Sequence, residues 1–216
     1  MKSNSPKFMI LFNGPPRSGK DTAADAIFEN FLESARVKNT TPMDRAIKAM
    51  FNMTDDEFLY YREAVKDTPQ ALFKSLSMRE ILISMSEDWC KPLMGDDVFG
   101  RIVADRFLPD KPLLVCSDSG FEAEAVPYIK KLGADNMLLV RIHRDGCNFS
   151  NDSRSYLSLE KYGVPCVDLM NSGTVDDFQN EVVSLVSTHY EGIFKWTLPL
   201  TLPGLYEQNQ ISSTLR

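Results

Sequence analysis

The stretch KFMILFNGPPRSGKDT, residues 7–22, decides the fold class of this chain. Residues 7–13 form a short apolar run rich in strand-forming side chains, and the GPP that follows breaks the run at once, which is typical of a buried strand entering a loop. Beyond the loop, apolar residues recur at helical spacing from Ala24 to Leu32. The stretch therefore predicts a strand, a glycine loop and a helix, in that order.

The glycine loop matches the P-loop pattern GxxxxGK[ST] at every defined position except the last, where Asp21 replaces Ser or Thr. Glycines let backbone N–H groups turn toward phosphate oxygens, and the following helix adds the partial positive charge of its N-terminus. Lys20 offers an ammonium group to the β- and γ-phosphates. A glycine turn that only caps a helix is the alternative, but a strand before the loop and a helix after it favour a nucleotide site. The predicted nucleotide-binding residues are Gly14, Arg17, Ser18, Gly19, Lys20, Asp21 and Thr22, together with Gly173 after the last strand.

The hydroxyl that normally stands at position 21 ligates Mg²⁺. A carboxylate is also a competent oxygen ligand for that ion, although it adds negative charge beside a triphosphate. Three alternatives follow: Asp21 binds Mg²⁺ directly, binds it through water, or turns away and leaves the task to Thr22.

Strand-like and helix-like segments alternate along the rest of the chain. Strands are predicted at 35–38 (weakly), 112–116, 137–142 and 166–170, and helices at 43–51, 55–65, 78–89, 98–107, 122–132 and 175–189. Nearly all-apolar strands that alternate with helices indicate a parallel sheet covered on both faces. The predicted class is α/β.

Three irregular stretches interrupt this alternation. The almost wholly helical region at about 42–108 predicts an inserted helical subdomain, and the polar, turn-rich region at about 144–164 predicts a mobile loop or lid. Residues 196–216, with prolines and a polar finish, predict an extended tail after a single domain spanning 1–195.

Composition and charge remove several classes of function. The chain has 24 Lys and Arg against 30 Asp and Glu, a net charge of −6, which argues against a protein that coats nucleic acid. Its 4 cysteines form no CxxC pair and it has only 2 histidines, so neither a zinc ribbon nor a three-histidine metal site can be written. No apolar run is long enough to span a membrane and the first residues lack a signal-peptide pattern. We expect a cytoplasmic protein, in a host's cytoplasm if the source is a virus.

Together with NGPPRSGKDT, four further blocks resemble the bacteriophage deoxynucleoside monophosphate kinases, a P-loop family, and more distantly animal-type phosphomevalonate kinase, which is similar in carrying Asp after the P-loop lysine. The blocks are SMREILISMSEDWCKPLMGDDVFGR (77–101), LLVCSDSGFEAE (113–124), RIHRDGCNFSNDSRSY (141–156) and DLMNSGT (168–174). The likeness covers residues 8–186, and SDSGF and DSRSY are more specific than the P-loop itself. Asp21 departs from the general kinase pattern but is ordinary in this family.

The resemblance implies a nucleoside monophosphate kinase core, with a five-stranded parallel sheet, helices on both faces, a helical acceptor-binding insert and a lid. It also implies the reaction, in which ATP with Mg²⁺ phosphorylates a deoxynucleoside monophosphate to give ADP and the diphosphate. Such transfer depends on positioning and charge neutralisation rather than covalent chemistry. The useful side chains are therefore cations and metal-holding carboxylates.

Candidate side chains of these two kinds follow the strands and begin a helix of the insert. Asp118 follows a buried strand, where it holds Mg²⁺ through water or orients the acceptor phosphate, or else caps the next helix. Arg144 and Arg154 could close over the transferring phosphoryl group, the alternative being solvated side chains or an Arg154 to Asp152 pair. The resemblance suggests that Arg79 contacts the acceptor monophosphate. The predicted catalytic residues are Lys20, Asp118, Arg144 and Arg154, the predicted substrate-binding residues are Arg79, Lys91, Asp118 and Arg141, and the predicted metal ligands are Asp21 and Asp118.

Two other functions stay open on the sequence alone. One is a P-loop kinase of another small phosphorylated acceptor, such as phosphomevalonate, and the other is a non-catalytic nucleotide-binding regulator. The expected partners are small-molecule nucleotides, with no membrane. The sequence identifies neither the accepted base nor the sugar preference, and it leaves the oligomeric state open, a homodimer being one option.

Overall fold

A five-stranded parallel sheet forms the centre of the computed structural model, which describes residues 7–150, 152 and 154–194. Its strands are β1 (Phe8–Asn13), β2 (Ser34–Val37), β3 (Leu113–Cys116), β4 (Met137–His143) and β5 (Cys166–Met170), in the spatial order β2-β3-β1-β4-β5. Every neighbouring pair is parallel. The predicted α/β class with a five-stranded parallel sheet is confirmed.

The central strand β1 is buried along its whole length. Phe8, Ile10 and Phe12 face one core, which is closed by α1 (Lys20–Asn30) and α8 (Val175–Phe194). Met9 and Leu11 face a second core, which is closed by α6 (Val98–Arg106) and α7 (Glu122–Leu132). Burial on both faces explains why this strand reads as a continuous apolar run rather than an alternating one.

The insert between β2 and β3 has an apolar core of its own. Its elements before α6 are α2 (Thr41–Met50), α3 (Asp55–Leu59), a 3₁₀ turn (Ala71–Phe73), α4 (Met78–Ile83) and α5 (Lys91–Met94). Met43, Met53, Met78 and Met85 are buried in this core, so these insert methionines serve in packing.

Two of the helices predicted in the insert are not uniform α-helices. The helix predicted at 55–65 is α3 followed by a π-helical segment, Tyr60–Ala64, and the helix predicted at 78–89 is α4 followed by another, Ser84–Cys90. Apolar periodicity does not distinguish the two helix types, because one wide turn shifts the pattern by a single residue. π-Helical turns are rare and often occur at functional sites.

The connection between β4 and β5 is irregular apart from a 3₁₀ turn, Glu160–Tyr162, in its described residues. Its second half is nevertheless fixed, because Leu157, Leu159 and Val164 are buried in the second core. A lid spanning the whole of 144–164 therefore does not fit the packing, and the lid stays a prediction only for the residues before Leu157. The predicted tail, 196–216, lies outside the described residues.

No helix in the described part of the chain combines the length and the apolar character that crossing a bilayer requires.

Candidate active site

The P-loop joins β1 to α1 through a backbone that few residues could adopt. Gly19 has a φ of 107° and Arg17 a φ of 66°, both in the left-handed region that favours glycine. At Gly14 a Cβ would lie 2.6 Å from the backbone oxygen of Ile142, so only glycine fits against β4. The local backbone geometry therefore requires these glycines independently of what the loop binds.

The side chain of Lys20 points back to the loop that precedes it. Its ammonium group donates to the backbone oxygens of Gly14 (2.8 Å) and Pro15 (2.7 Å). Burial, and then the positive charge of Arg154, lower the pKa of Lys20 to about 8. A partly buried ammonium beside a second cation is an arrangement that an anion would stabilise.

Several donors of the loop have no partner among the residues that the structure describes. The hydroxyl of Ser18 is buried and makes no hydrogen bond within the described residues. Helix α1 begins directly after the loop with no side-chain cap at Gly19, and the first N–H groups of a helix have no partner inside it. An orphan hydroxyl, free N–H groups and an ammonium make a donor set that fits the oxygens of a polyphosphate.

Two asparagines that sequence reasoning missed hold the loop and its surroundings. The side-chain amide of Asn171, at the end of β5, donates to the backbone oxygen of Ser18 at 2.8 Å. Asn13, fully buried, donates to the backbone oxygens of Ser119 (3.0 Å) and Ser155 (3.2 Å) and accepts from the N–H of Leu157 at 3.0 Å. The sequence offered one signal for these two residues, because each is a polar side chain at the carboxyl end of a strand.

Both predicted metal ligands are next to Ser117, Asp21 through a hydrogen bond and Asp118 as the following residue in the chain. Asp21 is exposed and accepts a hydrogen bond from the Ser117 hydroxyl at 2.8 Å. The carboxylate of Asp118 accepts from the N–H groups of Asn39 (3.1 Å) and Thr40 (3.3 Å), just before α2.

The contacts of Asp118 exclude the capping role that the sequence left open, because they lead to α2 and not to α7. Within the described residues no group of three or more His, Cys, Asp or Glu side chains could hold a metal ion. A Mg²⁺ ion bound by Asp21 and Asp118 would therefore rely on phosphate and water for its remaining ligands, as this ion usually does.

A cleft of about 410 Å³ opens between the carboxyl edge of the sheet and the insert. Its volume falls in the range of small-molecule sites. The π-helical segments contribute Arg62, Ser86 and Glu87 to its wall. The other lining residues are Asn39, Thr40, Met43, Lys66, Arg79, Ile83, Asp118, Phe121, Glu124, Asp152 and Arg154.

Three cations of the insert face this cleft. Arg62 pairs with Asp44 at 3.1 Å and Arg79 pairs with Asp67, while Lys66 makes no ion pair within the described residues. Burial, followed by the charges of Arg62 and Arg79, lowers the pKa of Lys66. Lys66 is therefore the cation of this wall that has no carboxylate bonded to it among the described residues, and a phosphate group would suit that position.

Arg154 lies between the P-loop and the cleft. It lines the cleft, its charge acts on Lys20, and its stem covers Gly120 so closely that a Cβ there would collide with it. Its guanidinium also pairs with Asp152, with the Nε and Oδ1 atoms 2.7 Å apart. The pairing with Asp152 and a position at the cleft, which the sequence posed as alternatives, therefore coexist.

The remaining predicted residues lie around the loop and the cleft. Arg144 is exposed and donates to the backbone oxygen of Arg17 at 3.4 Å, beside the P-loop. The Lys91 ammonium lies 3.9 Å from the centre of the Phe121 ring and 2.7 Å from Glu87, so it borders the cleft through its neighbours.

Arg141, predicted to bind the substrate, does not line the cleft, and the nucleotide-binding role predicted for Gly173 stays a prediction. Arg141 pairs with Asp168 of β5 (2.7 Å) and with Glu160 (3.0 Å), on the β4–β5 side of the sheet. Gly173 is exposed ahead of α8, where Thr174 accepts from the N–H of Asp177 at 3.1 Å and so caps the helix. Sequence reasoning also missed Arg62, Lys66, Asn39, Phe121 and Glu124, which are brought together only by the fold.

The comparisons with known proteins agree with a kinase. No model of a known protein family matches the chain. A protein of Acanthamoeba polyphaga mimivirus named "Putative deoxynucleotide monophosphate kinase" is 25% identical over 192 residues, covering 82% of this chain and 95% of that protein. With the geometry of the P-loop, this similarity supports a phosphotransferase of the P-loop type.

Solved structures that superpose on the chain are more distant. A gluconokinase from Sinorhizobium meliloti 1021 has a TM-score of 0.44 at 12% identity and covers 89% of this chain and 98% of its own. A thymidylate kinase from Candida albicans has a TM-score of 0.41 at 13% identity and covers 86% and 93%. The substrate has to be argued from the site itself.

Proposed function

We propose that this protein is a deoxynucleoside monophosphate kinase, which transfers the γ-phosphoryl group of ATP to a dNMP and yields ADP and a dNDP. One observation carries the proposal: a P-loop with unpartnered donors and a cleft with a cationic wall lie on two sides of the same side chain, Arg154. Phosphoryl transfer brings two anionic substrates together, and a cation that contacts both can neutralise the charge of the transferring group.

The donor nucleotide would bind at the P-loop. The Ser18 hydroxyl, the first N–H groups of α1 and the Lys20 ammonium would hold its phosphates. Asp21, Thr22 and Asp118 are the residues available to hold Mg²⁺, which would neutralise phosphate charge and fix the geometry of ATP. Asn171 would keep the loop in shape through its bond to the Ser18 backbone oxygen.

The acceptor would lie in the cleft with its monophosphate toward the insert. Arg62, Lys66 and Arg79 would neutralise it, and the phosphate would in turn offset the burial and the repulsion that lower the pKa of Lys66. Guanidinium groups suit this role because their planar donors match pairs of phosphate oxygens.

Arg154 would contact the transferring group from the side of the loop that precedes β5. Because its partner Asp152 orients the guanidinium, little reorganisation is needed when charge develops in the transition state. Closure of the residues from Arg144 to Arg154 over the substrates would exclude water that could otherwise hydrolyse ATP.

A deoxynucleotide acceptor is favoured over other small phosphates by three observations. The sequence blocks outside the P-loop resemble phage deoxynucleoside monophosphate kinases, and the mimivirus relative carries a deoxynucleotide kinase name. The cleft also pairs its cationic wall with an aromatic side chain, Phe121, on which a base could stack.

The test is turnover of purified protein with ATP and Mg²⁺. Each of dTMP, dGMP, dCMP, dAMP and phosphomevalonate is supplied in turn, and ADP release and the phosphorylated product are measured. We expect a dNDP from at least one nucleotide. Product from phosphomevalonate alone, or from none of the five, would overturn the proposal.

A further inference from the structure

Glu124 is a buried carboxyl group of the cleft that neither the P-loop nor the phosphate wall uses. It lies in the first turn of α7, with 6% of its surface exposed, and it lines the cleft. Its carboxyl makes no hydrogen bond and no ion pair within the described residues. The Ser18 hydroxyl is the one fully enclosed side-chain group without a hydrogen bond among the described residues, so the Glu124 oxygens are open to the cleft, where a ligand could pair with them.

Charged groups from four neighbouring elements act on this carboxyl. Asp118 follows β3, Glu87 lies on the π-helical segment Ser84–Cys90, Lys91 begins α5, and Arg154 lies on the loop before β5. Burial, followed by the negative charge of Asp118, raises the pKa of Glu124 to about 8. This direction favours the carboxylic acid, which offers one O–H donor beside one C=O acceptor.

The neighbourhood of Glu124 suits the uncharged part of an acceptor rather than its phosphate. The three cations that would hold the phosphate belong to the insert, whereas Glu124 and Phe121 come from the start of α7. A carboxyl group repels phosphate when ionised and offers it one donor when neutral. An aromatic ring beside a donor–acceptor pair is how proteins bind the edge and the face of a nucleobase.

Each nucleobase presents one donor next to one acceptor on its pairing edge. The pairs are N6 with N1 in adenine, N4 with N3 in cytosine, N1 with O6 in guanine and N3 with O4 in thymine. A carboxylic acid can match all four, because its proton can sit on either oxygen. A carboxylate accepts only, and two adjacent donors occur only in guanine.

We propose that Glu124 is a specificity-determining residue that binds the base of the acceptor nucleotide through a pair of hydrogen bonds, and that it allows one cleft to accept more than one base. This inference rests on the proposed function, since it names the part of the acceptor that Glu124 contacts.

The experiment compares Glu124→Gln with Glu124→Leu. Glutamine keeps a donor beside an acceptor, and leucine keeps volume without either. Steady-state KM is measured for ATP and each dNMP. 2-Deoxyribose 5-phosphate serves as an acceptor analogue without a base, and its inhibition constant is measured. Glu122→Gln is the matched control, because Glu122 lies on the same helix but pairs with Lys161 and Tyr162 outside the cleft.

We expect Glu124→Leu to raise the KM of every accepted dNMP by roughly tenfold, the cost of unpaired hydrogen-bonding groups on the base. The KM of ATP and the inhibition constant of the baseless sugar phosphate should not change. Glu124→Gln should stay within about threefold of wild type for each base, and Glu122→Gln should match wild type.

Two results would overturn the inference while the proposed function stands. One is an unchanged dNMP KM in Glu124→Leu, and the other is an equal loss for the baseless sugar phosphate, which is the mark of a purely structural role. Tm measurements show whether each variant is folded, and Glu124→Met serves as a second apolar variant if leucine unfolds the protein.

If the wild-type protein turns over no dNMP, the proposed function fails, and calorimetric binding of dNMP against 2-deoxyribose 5-phosphate then tests Glu124 alone. The inference is supported if Glu124→Leu binds dNMP more weakly than wild type does and binds 2-deoxyribose 5-phosphate equally well. Equal binding by wild type and Glu124→Leu overturns it.

Discussion

The P-loop and the cleft are built in opposite ways. The loop is a continuous run between Gly14 and Lys20, and its shape follows from two left-handed residues and a close approach to β4. The cleft takes its wall from segments near residues 39–43, 62–87, 118–124 and 152–154. A site made from one segment can be recognised in sequence, whereas one assembled from four segments depends on how the chain folds.

The two regions also differ in their electrostatics. At the loop, cationic Lys20 and Arg154 lie near Asp21 and Asp152, and backbone N–H groups supply much of the positive potential. In the cleft, the charges are side chains on separate elements, with Arg62, Lys66 and Arg79 on the insert. We therefore expect loop variants to lose catalysis and insert variants to lose acceptor affinity.

The largest effect is expected for Lys20→Ala. Loss of the ammonium that holds the β- and γ-phosphates should lower kcat/KM by about 1,000-fold or more, the order found when a preorganised transition-state donor is removed. The fold should survive, because the partly buried ammonium is desolvated in the unliganded protein. Lys161→Ala, which removes an exposed lysine outside the cleft, is the control. Wild-type turnover in Lys20→Ala would refute the assignment of the P-loop.

Arg154→Ala should cost about 100-fold in kcat, since this residue would serve both regions. Arg154→Lys should recover only part of the activity, because an ammonium keeps the charge and loses the planar fork. Arg141→Ala is the comparison, as Arg141 pairs with Asp168 away from the cleft, and it should leave kcat within about threefold of wild type. Steady-state rates measure all three, and equal losses in Arg154→Ala and Arg141→Ala would contradict the placement.

Lys66→Ala should act on the acceptor alone. We expect the KM of dNMP to rise by about tenfold, as for loss of one charge-assisted phosphate contact, while the KM of ATP stays constant. Lys48→Ala, an insert lysine paired with Asp55, is the matched control. A rise in the KM of ATP instead would move Lys66 to the donor side of the site.

The smallest effect is expected in the pH dependence of stability and of ATP binding. The pKa of Lys20 is lowered to about 8, so the folded protein binds fewer protons than the unfolded chain between that pH and the ordinary lysine pKa of 10.5. Stability should therefore rise with pH across that window, as the penalty for burying the charge disappears.

Polyphosphate favours the charged lysine, so ATP binding near pH 8 should take up a fraction of a proton and weaken by a few-fold above it. Calorimetry in buffers of different ionisation enthalpy measures this uptake. Uptake that persists unchanged in Lys20→Ala would show that another group is responsible.

Several parts of the site could be predicted because their signals are local. The P-loop was readable from glycines between a strand and a helix, and Asp118 from its position just after a buried strand.

Other parts depended on pairing between distant strands. The sequence predicts that Arg141 binds the substrate, yet the parallel register of β4 and β5 sets it beside Asp168, and no spacing in the sequence reveals that register. Likewise, the turn-rich sequence before β5 concealed the anchoring of Leu157 and Leu159 in the core. Isolated apolar residues in a polar loop show no period that would predict their burial.

The sequence by itself determined the α/β class, the strand–loop–helix unit and the donor set of Lys20 and its loop, because these follow from periodicity and from backbone preferences within one short segment. Only the tertiary structure decided which cations share the cleft and that Glu124 faces it with no hydrogen-bond partner among the described residues. Electrostatic and hydrogen-bonding environments depend on distances between segments that are remote in the chain, and folding is what sets those distances.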